Sequence, residues 1–347
     1  MTAITGGKTV LGITINSVID SAIAAGAGHK VLCKSIIHGR NSSELSSNPL
    51  GGGLFMQQES DVGSVMPSFA IGKDMKYDDQ AIALIAQMFG SENVKAWGGA
   101  NLLSVHSLLF NENLNTNYAN IAFHGSSATV YEYINAAIRR VQLNFRPNQY
   151  LDATFDGIAT DRKITATTNT PATLVAATEP ANAKMVVVRP AHYVRINAQA
   201  GGALANSDAV AITEGSVEFT RDQELVEEIR GASGNGAPRA TGLFAATLSV
   251  TFKNQNDFTW ITAYEAGTEY KADVVISDTT TTKEFNVCFP RLKIVAEPKY
   301  DITDDGENQA TVVFKALYAA TAPTGMITGN GYPYVRVVNS SGKYLKT

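Results

Sequence analysis

Ile138-Arg139-Arg140-Val141-Gln142-Leu143, closed by Pro147, is echoed later in the chain by Phe289-Pro290-Arg291-Leu292-Lys293-Ile294, closed by Pro298. Arg140 falls on Arg291, Leu143 on Ile294 and Pro147 on Pro298 at one constant offset. Each copy reads as a strand with alternating side chains. Val141 and Leu143, or Leu292 and Ile294, point one way, while Arg140 and Gln142, or Arg291 and Lys293, point the other. A strand that recurs within one chain predicts an internal duplication.

The surroundings of the two copies repeat in the same order. Before the first copy, residues 9–15 and 30–37 alternate as strands, and 16–25, with Ile19 and Ile23 on one side, suggests a short helix. A polar stretch, 39–67, carries three successive glycines at 51–53 and reads as a long loop. Strand 69–77 then runs into Asp78-Asp79, a helix cap. Ile82, Ile85 and Phe89 follow at helical spacing, and Gly90 stops the helix. Strands are expected over 117–123, 130–145 and 150–158.

In the later half, Arg221-Asp222-Gln223-Glu224-Leu225 resembles Arg40-Asn41-Ser42-Ser43-Glu44-Leu45 and opens a second glycine-bearing loop that ends at Pro238, as the first ends at Pro67. Strand 247–252 follows. A helix capped by Asn256-Asp257 carries Phe258, Ile261 and Tyr264 and closes at Gly267. Strands 270–277, 285–295 and 309–317 complete the repeat, with Phe314 matching Phe155.

The fold class is therefore mainly β with minor α: two tandem β-sandwich or barrel domains, each with one flanking helix. The boundaries read as a first domain over 1–159, a Thr/Ala/Asn/Pro-rich linker over 160–184, a second domain over 185–322 and a C-terminal extension over 323–347. In that extension Val335, Val337 and Val338 suit either an edge strand or a contact with a neighbour.

Composition narrows the function. At 347 residues about two domains are expected. A net charge of -4 argues against a surface built to grip nucleic acid phosphates. Cys33 and Cys288 make neither a disulfide framework nor a CxxC metal site, and each is expected as a buried thiol. The mildly apolar run 10–28 carries Asn16 and Asp20, too polar for a membrane span, and lacks the layout of a signal peptide. A soluble protein made in the cytoplasm is expected.

Motifs of chemistry are incomplete. Gly7-Lys8-Thr9 lacks the first glycine of a phosphate-binding loop. Asp301 to Gly306 resembles a calcium loop, but Val312 stands where a bidentate glutamate is required, so a turn at Asp305-Gly306 is the better reading. The five histidines are scattered, and no nucleophile elbow or acid–base carboxylate pair is present. No enzyme, cofactor or metal is expected.

The run from Gly236-Ala237-Pro238 through Phe289-Pro290-Arg291-Leu292-Lys293-Ile294 to Asp304-Asp305-Gly306-Glu307-Asn308-Gln309 and Phe314-Lys315-Ala316-Leu317 resembles the bacteriophage tail tube proteins. The Pro-Arg strand, the acidic-glycine turn and the closing Phe-x-Ala-Leu strand carry the likeness. The first half is also similar, in Gln58-Glu59-Ser60, Pro67 and the helix 78–89.

What the resemblance implies is structural. Such subunits form rings whose inner sheets join into one barrel, and the rings stack through long loops into a hollow tube that conducts the genome. Most such rings hold six single-domain subunits, so a two-domain subunit would close a pseudo-hexameric ring as a trimer. Asp152, Thr154 and Asp156 are the lumen candidates, with Lys315 replacing the acid in the second copy. Arg140, Arg291 and Lys293 are expected at the outside or between subunits. Arg40, Glu44, Glu59, Asp61, Arg221, Glu224, Glu227, Glu228 and Arg230 are expected in the loops that join rings.

The implied partners are further copies of the chain, in trimeric or hexameric rings, with the tape-measure, terminator and tail-tip or baseplate proteins and, in a contractile tail, a sheath. Double-stranded DNA would pass without specific binding, and no membrane is involved. The implied location is the virion tail, assembled in the host cytoplasm. Two other readings stay open: another β-rich virion protein, such as a capsid decoration or a baseplate or tail-tip component, and a carbohydrate-binding β-sandwich. Against the second, neither Trp97 nor Trp260 stands out as a sugar platform, and Trp260 falls in the expected helix.

Overall fold

In the computed structural model the described residues are 9–17, 21–47, 59–97, 103–112, 117–124, 129–164, 167–181, 183–227, 235–253, 259–278, 280–301 and 309–346. The first half opens with β1 (Thr9–Asn16), β2 (Lys30–Cys33) and a ribbon of β3 (Ser35–Ser47) and β4 (Glu59–Asp74). Helix α1 (Ile82–Phe89) leads into the hairpin β5 (Gly90–Ala96) and β6 (Ser104–Phe110). β7 (Tyr118–His124), β8 (Val130–Phe145), β9 (Gln149–Tyr150), β10 (Asp152–Ile158), β11 (Asp161–Lys163) and α2 (Pro171–Ala176) follow.

The second half contains β12 (Val187–Val188), β13 (Tyr193–Ala198), and a second ribbon of β14 (Ile212–Glu227) and β15 (Asn235–Lys253). After α3 (Thr259–Glu265) come β16 (Glu269–Asp278), β17 (Lys283–Ile294), β18 (Lys299–Asp301), β19 (Gln309–Ala316) and β20 (Tyr334–Asn339).

The order of pairing repeats. It is β3–β4–β10–β8–β7–β1 in the first half and β14–β15–β19–β17–β16–β13 in the second, antiparallel at every step. The halves join where β14 adds to the edge of β8, from Gly215 opposite Phe145 to Thr220 opposite Arg140. Eight strands, β3–β4–β10–β8–β14–β15–β19–β17, thus form one uninterrupted run.

β8 serves two layers. Its first residues pair with β7 and its last with β10 and β14. Register shifts mark the passage, between Ala119 and Ile121 of β7 and between Asp156 and Gly157 of β10. Asn135 sits at the first of these with φ 51, a left-handed backbone that bends the strand and that asparagine tolerates. Gly157 sits at the second, where a Cβ would lie 2.4 Å from the Phe69 ring.

One face of the eight-strand run is apolar. Phe69, Ile71, Val141, Leu143, Ala153, Phe155, Val217, Phe219, Leu248, Val250, Val312 and Phe314 are buried on it. Helix α1 packs there, with Phe89 edge-on to Phe219 at 5.1 Å, and also touches β5, β6 and β7. All eight of its residues are buried, so it is an interior helix rather than a flanking one. α3 buries only Trp260 and Ala263, and among the described residues no hairpin equivalent to β5–β6 covers it. Trp260 stacks on Phe252 at 4.6 Å and meets Phe314 edge-on at 5.7 Å, a packed residue as expected.

The mainly-β class holds, and several local readings change. The expected loops at 39–67 and 221–238 are largely paired strand: β3 and β4 are in register from Ser35–Gly72 to Ser47–Glu59, and β14 and β15 from Ile212–Phe252 to Glu227–Asn235. The outer parts are polar, with Ser, Asn and Glu in place of an apolar alternation, so no strand period showed. Asn16 ends β1, and 21–26 are not helical. The stretch 160–184 carries β11 and α2. Thr170 caps α2, accepting from Thr173 N at 3.2 Å, and Leu174 packs with Ala25, Ala122 and Val130. The cap Asn256-Asp257, the turn Asp305-Gly306 and the triple glycine lie outside the described residues.

The C-terminal extension is an interior strand. β20 lies between β17 and β6, with Val335 opposite both Val287 and Leu108, and Val335, Val337 and Val338 are fully buried. It therefore ties the second half to the hairpin of the first.

Candidate functional site: a polar sheet face with open edges

The other face of the eight-strand run is polar. Directly opposite residues of antiparallel strands share a face. Thr154 is opposite Gln142, Gln142 is opposite Glu218, and Glu218 is opposite Thr247, which faces Lys315. Asp152, Thr154 and Asp156 of β10 lie on this face, as the alternation predicts.

Arg140, expected at the outside or between subunits, lies on the same face, opposite Asp156. Its guanidinium meets Glu218 at 2.6 Å, Asp156 at 3.4 Å and Gln142 Oε1 at 2.9 Å. Glu218 first, and then Asp156, hold Arg140 above its ordinary pKa. Lys34 bridges Asp74 at 2.5 Å and Asp152 at 2.9 Å, and Arg146 meets Glu214 at 2.5 Å. These groups line an open cleft of about 1040 Å³ at one rim of the face. The first-half portion thus carries its charges in pairs, each partly exposed and so worth little to stability.

The second-half portion is more basic. Lys293 is opposite Lys315, and Arg291 pairs with Glu269 at 2.5 Å. Pairing also refines the sequence echo. Phe155 faces Val141 and Phe314 faces Ile294, so, with Phe314 matching Phe155, Arg140 matches Lys293 rather than Arg291.

A second group of side chains fixes the junction of the halves. Arg221, expected on an exposed loop, is 2% exposed. Its guanidinium donates to Met88 O at 3.1 Å, Asn111 O at 2.9 Å and Glu112 O at 3.1 Å, and lies 4.8 Å from the Phe110 ring. Met88 lies in the last turn of α1, where carbonyls lack helical partners and the helix dipole is negative. Burial pushes the Arg221 pKa down to about 10. Gln223 donates to Ile138 O at 2.8 Å, and Ile138 N donates to Gln87 Oε1 at 3.1 Å. Sequence reasoning missed this lock because its acceptors are backbone carbonyls 85 to 133 residues away. Arg221→Met is expected to lower stability by on the order of 2–4 kcal/mol, read as a shifted denaturant midpoint at unchanged slope.

Of the other residues expected in inter-ring loops, Asp222 and Glu224 are exposed on β14. Arg40, Glu44, Glu59, Asp61 and Glu227 stand on the ribbon strands, while Glu228 and Arg230 lie outside the described residues. Cys33 and Cys288 are buried thiols, with burial pushing their pKa values up to about 11 and about 12. Among the described residues, no group of His, Cys, Asp and Glu could hold a metal ion, and no helix is long and apolar enough to cross a membrane.

A family profile described as phage tail tube protein matches residues 6–316, most of the chain. The protein belongs to that family and is a structural component of the phage tail. No curated protein matches it.

Proposed function

We propose that the chain polymerises into stacked rings that form the hollow tail tube, with the polar eight-strand face as the wall of the genome channel. One observation carries this reading: the first half already adds a strand of the second half to its edge, so the same addition between copies closes a ring. A closed barrel removes the open edges that an isolated sheet presents.

Each half is then one tube domain, and three chains make a pseudo-sixfold ring. Symmetry averaging of purified tubes by electron microscopy is expected to show three chains per ring; six copies of this chain per ring would overturn the proposal. The β3–β4 and β14–β15 ribbons are the elements for ring stacking. Head-to-tail contact of that kind gives an open polymer.

The channel wall would then carry paired, partly neutralised charge. DNA could then slide without strong attraction. Changing Asp152 and Asp156 together to Lys leaves Arg140 and Lys34 without these counter-charges and makes the wall basic. Assembly should persist and genome ejection should slow several-fold, measured as DNA release over time. Ejection at the normal rate would remove both residues from the channel.

A further inference from the structure

We infer that ring closure joins the free edge of β3 in one copy to the end of β17 in the next, with Ile37 opposite Val295. This rests on the tube reading above and adds the register of the contact.

The internal junction supplies the template. β14 pairs with β8 so that Phe219 faces Val141, Glu218 faces Gln142 and Thr220 faces Arg140. Each partner has a counterpart fixed by pairing. In β3, Ile37 is opposite Ala70 as Glu218 is opposite Thr247 in β14, and Ala70 and Thr247 are in turn opposite Asp156 and Lys315. Ile37 therefore holds the place of Glu218. In β17, Lys293 holds the place of Arg140, so Val295, two residues on, holds that of Gln142.

Three features of the isolated chain agree. β3 pairs only with β4 among the described strands, so one of its edges is open. β8 stays extended to Phe145 with β14 beside it, whereas β17 ends at Ile294 and residues 295–297 are exposed. Ile37 is 71% exposed and Val295 48%, and they mark the two ends of the polar face. Large apolar side chains there are costly in water and are accounted for when they meet as a cross-strand pair.

The lock at the internal junction has matching parts. β3 carries Arg40 at the register position of Arg221, and α3, like α1, is followed by a glycine with left-handed backbone, Gly267 with φ 63 for Gly90 with φ 84. The carbonyl end of α3 is thus the counterpart of the site that Arg221 fills in α1. One adjustment is required: Glu269 and Tyr270 of β16 sit against Lys293 and Leu292, beside the position that the incoming strand would take.

Cysteine cross-linking tests the register. The native Cys33 and Cys288 are buried, so introduced thiols dominate. Assembled tubes of the double variant Ile37→Cys, Val295→Cys, oxidised and run without reductant, are expected to give mostly covalent oligomers. The pair Ile37→Cys, Lys293→Cys, which follows the sequence echo instead, should give at least tenfold less. Linking by the second pair in preference, or tubes in which neither pair links, would overturn the register and leave the tube reading standing. Variants that stay monomeric while wild-type protein forms tubes would show that the two positions belong to the contact. Wild-type protein that forms no polymer would overturn both. Arg40→Ala should slow tube growth several-fold, and an unchanged rate would remove the lock from the contact.

Discussion

Cutting the chain after Ala319 is expected to leave a protein that does not fold. The loss includes β20, which pairs with β17 on one side and β6 on the other. Tyr334, Val335, Val337, Val338, Tyr344 and Leu345 are all buried. Burying each such side chain contributes about 1.5–3 kcal/mol, which together equals or exceeds the roughly 5–15 kcal/mol of stability typical of a whole domain.

The tail beyond β20 adds polar anchors. The Glu92 carboxylate accepts Tyr344 N and Leu345 N, each at 2.8 Å, and meets His106 Nδ1 at 2.7 Å. Without the tail this buried carboxylate loses two donors. Circular dichroism with urea titration decides the point: a cooperative transition near the full-length midpoint would show that the segment is dispensable. The family match ends at residue 316, so this clasp lies beyond the matched region.

The second large effect is expected at Asp78. Its carboxylate forms a close ion pair with Lys283 and accepts Ser340 N at 2.8 Å and Ser340 Oγ at 2.6 Å. Asp78 is 1% exposed and Lys283 4%. One residue precedes α1, one opens β17 and one follows β20, so a single carboxylate ties three distant segments. Asp78→Ala leaves the Lys283 ammonium buried without this counter-charge, a loss of about 3–5 kcal/mol. Adding Lys283→Met to Asp78→Ala should recover part of it, since two neutral groups avoid the buried charge. A double variant as unstable as the sum of the two singles would show that the pair is not coupled.

The sequence read Asp78-Asp79 as a helix cap, and the structure gives the two acids different partners. Asp79 accepts Ala81 N at 3.0 Å and Lys76 N at 3.2 Å, and pairs with buried Lys73. Both acids suit the start of a helix, and local spacing cannot separate them. What separates them is Lys283, which tertiary folding brings to Asp78 alone.

The parts legible in the sequence share one property: their signal is local. β8 and β17 alternate because one face of each is buried, and Gly90 and Gly267 end helices because left-handed backbone favours glycine. The ribbons were read as loops because, beyond the core, they have no apolar face to print a period. The β5–β6 hairpin was missed, its side chains being mostly half-buried or exposed. Helix α1 was found, but its complete burial depends on that hairpin.

By itself the sequence determined the β-rich class, the recurring order of elements, the helix α1 with its glycine stop, and the family likeness. Only the tertiary structure decided that Arg140 shares a face with Asp156, that Arg221 is buried against the end of α1, and that the C-terminal valines form an interior strand. A side chain's alternation is set by its own strand, but its partner is set by whichever strand folding lays alongside. Pairing register across more than a hundred residues leaves no mark on local sequence.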